Sequence, residues 1–336
     1  MPAISVVVPT YNRLSQLKRT LEGLEKQTFP EDDFEVIVVS DGSTDGTNEY
    51  LQTLQTPLHL KPVFQANQGA AATRNRGVEN AQGDLILFVD DDVYPVPTLM
   101  EEHFRVHQAE GGKLVVIGPM LSPQDYKLSP WVQWSQDRLR EQYEAMHQGL
   151  WQATSRQFYT GNTSLPRQIL QETGGFDANF RRAEDVELAY RLDAVGVRFV
   201  YCHSAVVYHY EERSFEGWLS IPYVYGRNDV IFTYRKGNHW LLPKIFQEFY
   251  ERNLFTRLLV QSALGRPAMK SLVTTTMKTA MMAGDRLKIS VLPRVACSSL
   301  FNLYHYQGIA DELGGARHFW DGVQGKSVPS PYPNGK

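Results

Sequence analysis

The chain has 336 residues, 42% of them apolar and 21% charged, the balance of a protein that buries a core in one large or two ordinary domains. No apolar run approaches the roughly 18 to 20 residues of a membrane span, since the stretch 254–264 is broken by Arg257, Gln261 and Ser262. Two cysteines, Cys202 and Cys297, are too few for a disulfide framework, and a net charge of −3 selects no partner. The start, Met-Pro-Ala-Ile-Ser, has neither the basic residues nor the apolar core of a signal peptide, so a reducing cytosol is the expected compartment.

Along the first 120 residues, short β-branched runs alternate with helical patterns. The expected strands are 4–8, 35–39, 58–64, 85–89 and 114–117. Most are apolar throughout, as parallel strands covered on both faces are. The third is interrupted by His59, Lys61 and Pro62 and suits an edge. Leu14, Leu17, Leu21 and Leu24 recur at helical spacing between the first two strands. Such alternation gives an open, doubly wound, mostly parallel sheet with ligands at the carboxyl ends of its strands. The turns after Val8, Val39 and Val89 then form the functional rim; they read PTYNR, SDGSTDGT and DDDVYP. Residues 121–212 form a second, mixed part, with a Trp131/Trp134 helix, the segment FYTGNTSLPR, a GGF turn at 174–176, a helix from about Glu184, and strands around Phe199 and Val206. From 213 to 325 the pattern is a helical extension with breaks at Gly237–Asn238, Pro243, Gly265–Pro267, Gly284 and Pro293. The Pro-rich tail, 326–336, is expected to be disordered.

Asp90, Asp91 and Asp92 end an apolar strand, and three adjoining carboxylates repel one another unless a cation or donors compensate them. Oxygen ligands of this kind suit Mg²⁺ or Mn²⁺, with a diphosphate completing the coordination. Asp41, in SDGSTDGT, is either a helix cap or an acceptor for a base N–H. NQGAAATRNRG opens a helix with small residues and offers Arg74 and Arg76, at least one of which is expected to grip a diphosphate near a helix N-terminus. Glu184 and Asp185 open a helix, where acidic residues favour the dipole without any further role. His209, after AVVY, is a candidate metal ligand or simply a structural histidine.

Taken in order, the strings VVVPTYNR, VIVVSDGSTDGT, NQGAAATRNRG, LILFVDDDV, TGNTSLPR, GGFD and AEDVELAYRL resemble glycosyltransferase family 2, the inverting family with the GT-A fold, over residues 6 to about 193. The resemblance implies a GT-A catalytic domain over 1–212, nucleotide-binding through 120 and sugar- and acceptor-binding beyond it. It implies that Thr10, Tyr11 and Asp41 line the base and ribose pocket, with Arg74 near the base or diphosphate. Pro9, Arg13, Asn67, Gly69, Asp90, Asp91 and Asn162 complete the expected donor site. Asp90 and Asp92 are the ends of the family's DxD motif and, with His209, the implied ligands of Mn²⁺ or Mg²⁺. Asp185 is the implied base and Glu184 its orienting neighbour, while Gly161 and Asn162 fall where the family shapes the sugar and acceptor site. The QxxRW motif of the processive members is absent, which implies transfer of one sugar or a few.

The expected activity is therefore metal-dependent transfer from a nucleoside-diphosphate sugar, UDP by family habit, to a saccharide or lipid-linked hydroxyl, with no nucleic-acid partner. Three alternatives are weaker. A sugar-nucleotide pyrophosphorylase would begin on a Gly-rich loop, and PTYNRLSQL has no glycine; a dehydrogenase would carry GxGxxG after its first strand. A non-catalytic nucleotide-sugar-binding protein would not need the intact carboxylate motifs. From Arg235 onward Lys and Arg exceed Asp and Glu by 14 to 6. Together with Trp240, Phe246, Phe249, Phe255, Leu258 and Leu259, that excess suggests peripheral contact with an anionic surface, the inner face of the cell membrane being the expected one.

Overall fold

The computed structural model describes residues 1–180 and 182–332. They divide into two compact units, Met1–Tyr126 with Arg138–Glu211, and Lys127–Asp137 with the chain from Glu212 onward.

In the first unit, strand β1 (Ile4–Thr10) leads into helix α1 (Leu14–Glu25), β2 (Phe34–Asp41), α2 (Thr47–Thr53), β3 (Leu60–Gln65), α3 (Ala70–Asn80), β4 (Leu85–Val89), β5 (Val93–Pro95), α4 (Leu99–Glu110), β6 (Leu114–Ile117) and β7 (Met120–Leu121). After helix α5 (Pro130–His147), which spans the boundary between the units, follow β8 (Asn162–Pro166), α6 (Arg167–Glu172), α7 (Glu184–Ala194), β9 (Arg198–Tyr201) and β10 (Val207–His209). The main sheet has seven strands in the order β3-β2-β1-β4-β8-β6-β9, parallel except where β8 runs antiparallel between β4 and β6. β5, β10 and β7 form a small second sheet.

The doubly wound sheet follows from the sequence pattern. Along β1, β2, β4 and β6 the side chains alternate between two buried clusters: Val6, Val36, Val38, Leu87 and Val116 pack on one face, and Val7, Ile37, Val39, Phe88 and Ile117 on the other. The polar-interrupted strand lies at the edge, as β3. What the sequence left as the segment TGNTSLPR is β8, an antiparallel insertion whose buried Asn, Thr and Ser do not read as a core strand. Strand order reverses around β1, so the crevice at the carboxyl ends of β1, β2 and β4 is the binding position of an open α/β sheet. Helix α3 lies hard against β1: a Cβ at Gly77 would stand 2.3 Å from Val7 Cγ1.

The second unit is helical, with α8 (Phe215–Arg235), α9 (Leu241–Glu251), α10 (Leu254–Ala263), α11 (Pro267–Arg286), α12 (Val291–Glu312) and α13 (Ala316–Val323). α8 and α12 cross closely through two glycines; a Cβ at Gly226 would meet His305 O, and one at Gly308 would meet Tyr223 O, each at 2.0 Å. Three expected breaks lie inside helices instead. Pro243 and Pro293 sit in the first turns of α9 and α12, where the backbone N–H has no helical acceptor to lose. Gly284 stays inside α11, and its role is packing, since a Cβ there would stand 2.7 Å from Leu292 Cβ. Phe246, Phe249 and Leu259, read from sequence as part of a membrane-facing stripe, are core; Phe249 packs edge-on to Tyr306, Phe319 and Trp320. As far as Tyr332, the tail expected to be disordered has partners: Tyr234 Oη donates to Val328 O at 3.0 Å, and Tyr332 packs against the Arg235 guanidinium. Residues 333–336 of that tail lie outside the described residues.

Candidate active site

The end of β2 is tied to the start of α3. Asp41, buried at the strand end, accepts from Gln65 Nε2 and the Gln68 N–H on Oδ1, and from the Gly69 N–H on Oδ2, each at 2.8 Å. Gly69 takes φ 91°, a conformation that only glycine adopts freely, to present its N–H there. Asp41 caps neither helix, since α2 starts after Gly46 and α3 after Gly69 without a side-chain cap; it anchors the turn before α3, and Oδ2 keeps one acceptor position. Asn67 Nδ2 donates to Asp41 O at 3.1 Å and closes the same turn. On β1, Pro9 is partly covered and Thr10 is buried, and Tyr11, just beyond the strand, is half-exposed. The next residues were missed by sequence reasoning. Asn12, at φ 53°, accepts from the Thr44 N–H at 2.7 Å, and Asp45 accepts from the Leu14 N–H at 2.9 Å, lacing the β1 and β2 turns together. Two Asn and Asp residues in turn strings signalled this chemistry, but not their partners.

From the same helix, Arg74 reaches the other two acidic motifs. Its Nη2 lies 2.9 Å from Asp90 Oδ1 and its Nη1 2.8 Å from Glu184 Oε1, and the buried guanidinium faces the Phe176 ring at 5.8 Å. Arg74 thus bridges two carboxylates, and within its guanidinium only Nε lacks a partner. Arg76 points to the surface and pairs with Glu79. The GGF turn is held in place by Asn75, whose carboxamide donates to Phe176 O and accepts from Phe176 N, both at 2.8 Å. Replacing Arg74 with Met leaves the buried Glu184 carboxylate and the part-exposed Asp90 carboxylate unpaired, and the expected cost is about 3 kcal/mol of folding stability, the low end for a buried pair, read from urea unfolding. A loss under about 1 kcal/mol would mean that the bridge is only a surface pair.

The three aspartates after β4 have diverged in environment. Asp91 is buried, which pushes its pKa up to about 7 against the pull of Arg13, whose Nη1 is 3.1 Å away. Asp92 is pulled down to about 2: burial opposes its charge, but the hydrogen bond and charge of His209, and then Arg13 at 2.7 Å, outweigh it. His209 is placed by pairing of β10 with β5, opposite Val93, so that Nε2 lies 3.3 Å from Asp92 Oδ1. Burial disfavours its imidazolium, yet Asp92 raises the pKa overall. Among the described residues no three His, Cys, Asp or Glu side chains form a ready cation cage. The partial donor set nevertheless fits a divalent cation. Asp92 Oδ1 is buried with only the loosely placed His209 Nε2, 3.3 Å away, beside it, and Gly161 leaves Asp90 Oδ2 open, since a Cβ there would stand 2.8 Å from it.

Glu184 and Asp185 start α7 directly after Ala183, whose φ of 60° is costly for a residue with a Cβ. Asp185 Oδ1 accepts from the Val186 N–H at 2.8 Å. Burial, and then the neighbouring Glu184 carboxylate, push its pKa up to about 7. Tyr159, a residue not singled out from sequence, is close enough for Asp185 to raise its phenol further above the value that burial gives it, to about 12. Asn162 corrects the sequence reading. Its side chain is fully buried, Nδ2 donates to Pro119 O and Ala205 O at 3.1 and 2.7 Å, and Oδ1 faces His103 Nε2 at 2.9 Å. Fully buried and hydrogen-bonded at both ends, that carboxamide is out of reach of a sugar nucleotide, and it pins β8 from within.

The model of the Glycosyl transferase family 2 matches residues 5–177. Validoxylamine A glucosyltransferase of Streptomyces hygroscopicus subsp. jinggangensis is 34% identical over 228 residues, 59% of this chain and 53% of that protein, so the chain spans about half the length of this relative. Chondroitin synthase of Pasteurella multocida is 27% identical over 71% of this chain and 28% of its own length. Among solved structures, Staphylococcus aureus TarS 1-349 in complex with UDP-GlcNAc superposes with a TM-score of 0.58 at 20% identity, covering 94% of this chain and 93% of that one. Mannosyltransferase PcManGT from Pyrobaculum calidifontis, in complex with GDP-Man and Mn²⁺, gives 0.57 at 18% identity over 93% and 88%. At such identities the likeness is one of fold, and that fold is GT-A.

Proposed function

The chain belongs to glycosyltransferase family 2, and from that premise we propose that it transfers a sugar, with inversion, from a nucleoside-diphosphate donor to a hydroxyl of a saccharide or lipid-linked acceptor, one or a few units at a time. One observation carries the reading. Arg74 gathers Asp90 and Glu184, 110 positions apart in its longer link, and so brings the DDD strand end and the Glu184–Asp185 helix start into one site.

In this reading Asp185 is the base. Its Oδ1 is engaged by the Val186 N–H, which leaves Oδ2 to take the acceptor proton as the new bond forms. A pKa near 7 suits a group that must be ionised to act yet hold a proton afterwards. Glu184 works through Arg74, fixing the height of Asp90 and the entry of α7, and is a positioning residue. Asp41, Thr10, Tyr11, Asn67 and Gly69 shape the nucleoside end, with the spare acceptor position of Asp41 Oδ2 as the one charged group there. Arg13 covers Asp91 and Asp92 and is the side chain that an arriving diphosphate would draw away. Asp92, Asp90 and His209 would hold Mn²⁺ or Mg²⁺, which when bound supplies positive charge to the leaving diphosphate. Peripheral contact of the basic C-terminal half with an anionic membrane belongs to the same reading; among the described residues no helix is long and apolar enough to cross one.

UDP-GlcNAc and GDP-Man in the two structural neighbours frame the choice of donor base. The test is thermal unfolding with UDP, dTDP or GDP, each with Mn²⁺. A nucleotide at a hundred times its Kd raises stability by about 2.7 kcal/mol, about 5 °C or more for a domain of this size, and UDP is expected to give that shift. If none of the three shifts the transition, the donor reading is wrong.

A further inference from the structure

Between α11 and α12 the chain turns at residues 285–295, and all of these except the half-buried Pro293 are exposed. Scattered exposed aliphatics are ordinary. Here Leu287, Ile289, Val291, Leu292 and Val295 fall within nine residues, Leu287 67% and Val291 61% exposed. Interleaved with them are Arg286, Lys288 and Arg294, none of which has an ion-pair partner among the described residues, against the single acid Asp285.

The turn is built, not slack. Leu287 N donates to Ala283 O at 2.9 Å, Ile289 N to Gly284 O at 2.8 Å, Lys288 N to Asp285 O at 3.2 Å and Leu292 N to Ile289 O at 3.2 Å. Lys288 is held at φ 56°, in the left-handed region, and Gly284 admits Leu292 and Pro293 at the base of the turn. A backbone with its amides internally bonded can enter a region poor in water, where unpaired amides are costly. Lysine and arginine beside apolar side chains can bury their stems and keep their charges at the level of lipid phosphates.

We propose that this α11–α12 tip inserts into the headgroup region of an anionic bilayer, with Leu287, Ile289 and Val291 entering and Arg286, Lys288 and Arg294 holding the phosphates. It rests on the membrane contact stated above and names a surface for it other than the Trp240–Leu259 set that the sequence suggested. Charge favours this occupant over a second copy of the chain, because a two-fold pairing would bring basic tip against basic tip.

The experiment is co-sedimentation of the full-length chain with mixed phosphatidylglycerol–phosphatidylcholine vesicles and with pure phosphatidylcholine vesicles. The chain binds the anionic vesicles and leaves the neutral ones. Leu287→Ser, Ile289→Ser and Val291→Ser combined weaken partitioning by at least about tenfold. Lys288→Gln and Arg294→Gln each weaken it about fivefold at low salt, and the effect of charge fades as salt rises. All of these positions are exposed, and an unchanged melting temperature verifies that the variants are folded. Intact chain that ignores anionic vesicles overturns both the tip and the membrane reading. Tip variants that bind as well as the parent overturn the tip alone, and so does a parent dimer that the serine variant converts to monomer in solution.

Discussion

Asp185→Asn lowers turnover by at least about a hundredfold, while nucleotide binding with Mn²⁺ stays within a fewfold of the parent. The substitution keeps the shape of the side chain and an oxygen for the Val186 N–H, so a mere helix cap would survive it. In the parent, kcat/KM rises with pH and levels off above about 7, because the base must be ionised and burial holds its proton to about that pH. Stability runs the opposite way. A carboxyl whose pKa is raised on folding binds its proton more tightly in the folded state, so its contribution is fully present below the unfolded pKa and is lost as pH rises through about 7. Above that pH the buried charge is a burden, and Asp185→Asn is expected to melt no lower than the parent. A dead enzyme that is no less stable at pH 8 is the signature of a base held at a cost. Near-normal turnover would return Asp185 to capping.

Asp92→Ala removes metal-dependent transfer, with a loss of at least about a hundredfold, since even groups behind a metal's ligands contribute about ten- to a hundredfold. Asp92 is the carboxylate already held ionised, down to about 2, and its buried Oδ1 faces only the His209 ring, 3.3 Å away. Asp91, pushed up to about 7, is the poorer ligand of the neighbouring pair, so Asp91→Asn should cost much less. Three readouts separate a ligand from a structural group: Mn²⁺ affinity falls, nucleotide binding weakens only when metal is present, and nucleotide binding in chelator is unchanged. Asp92→Asn, which keeps the volume and a neutral oxygen, guards against misfolding as the explanation. Full parental activity after complete chelation would refute the assignment.

The proposed base and metal ligands come from segments that are unremarkable one at a time. Acidic residues begin many helices and end many strands, which is why Glu184–Asp185 and the DDD run needed each other to acquire meaning. Asn162 shows the opposite error. A polar residue next to a site string read as a site residue, yet its carboxamide is consumed inside the fold by Pro119, Ala205 and His103. The same holds for the aromatic residues of the second unit, where Phe246 and Phe249 face inward and Phe255 and Leu258 outward; amphipathic spacing defines a face but not what covers it.

By itself the sequence determined the parallel sheet, its edge strand β3, and the rim on which PTYNR, SDGSTDGT and DDDVYP stand. Strand and helix periods, and the turn chemistry of Gly, Asn, Asp and Pro, are properties of neighbouring residues and are written locally. Only the tertiary structure decided that Arg74 bridges Asp90 and Glu184 and that Arg13 and His209 share Asp92. It alone inserted β8 antiparallel and left five neighbouring aliphatics of the α11–α12 turn exposed. Charge pairing and burial depend on distance through space, and residues 110 positions apart meet only after the chain between them has folded.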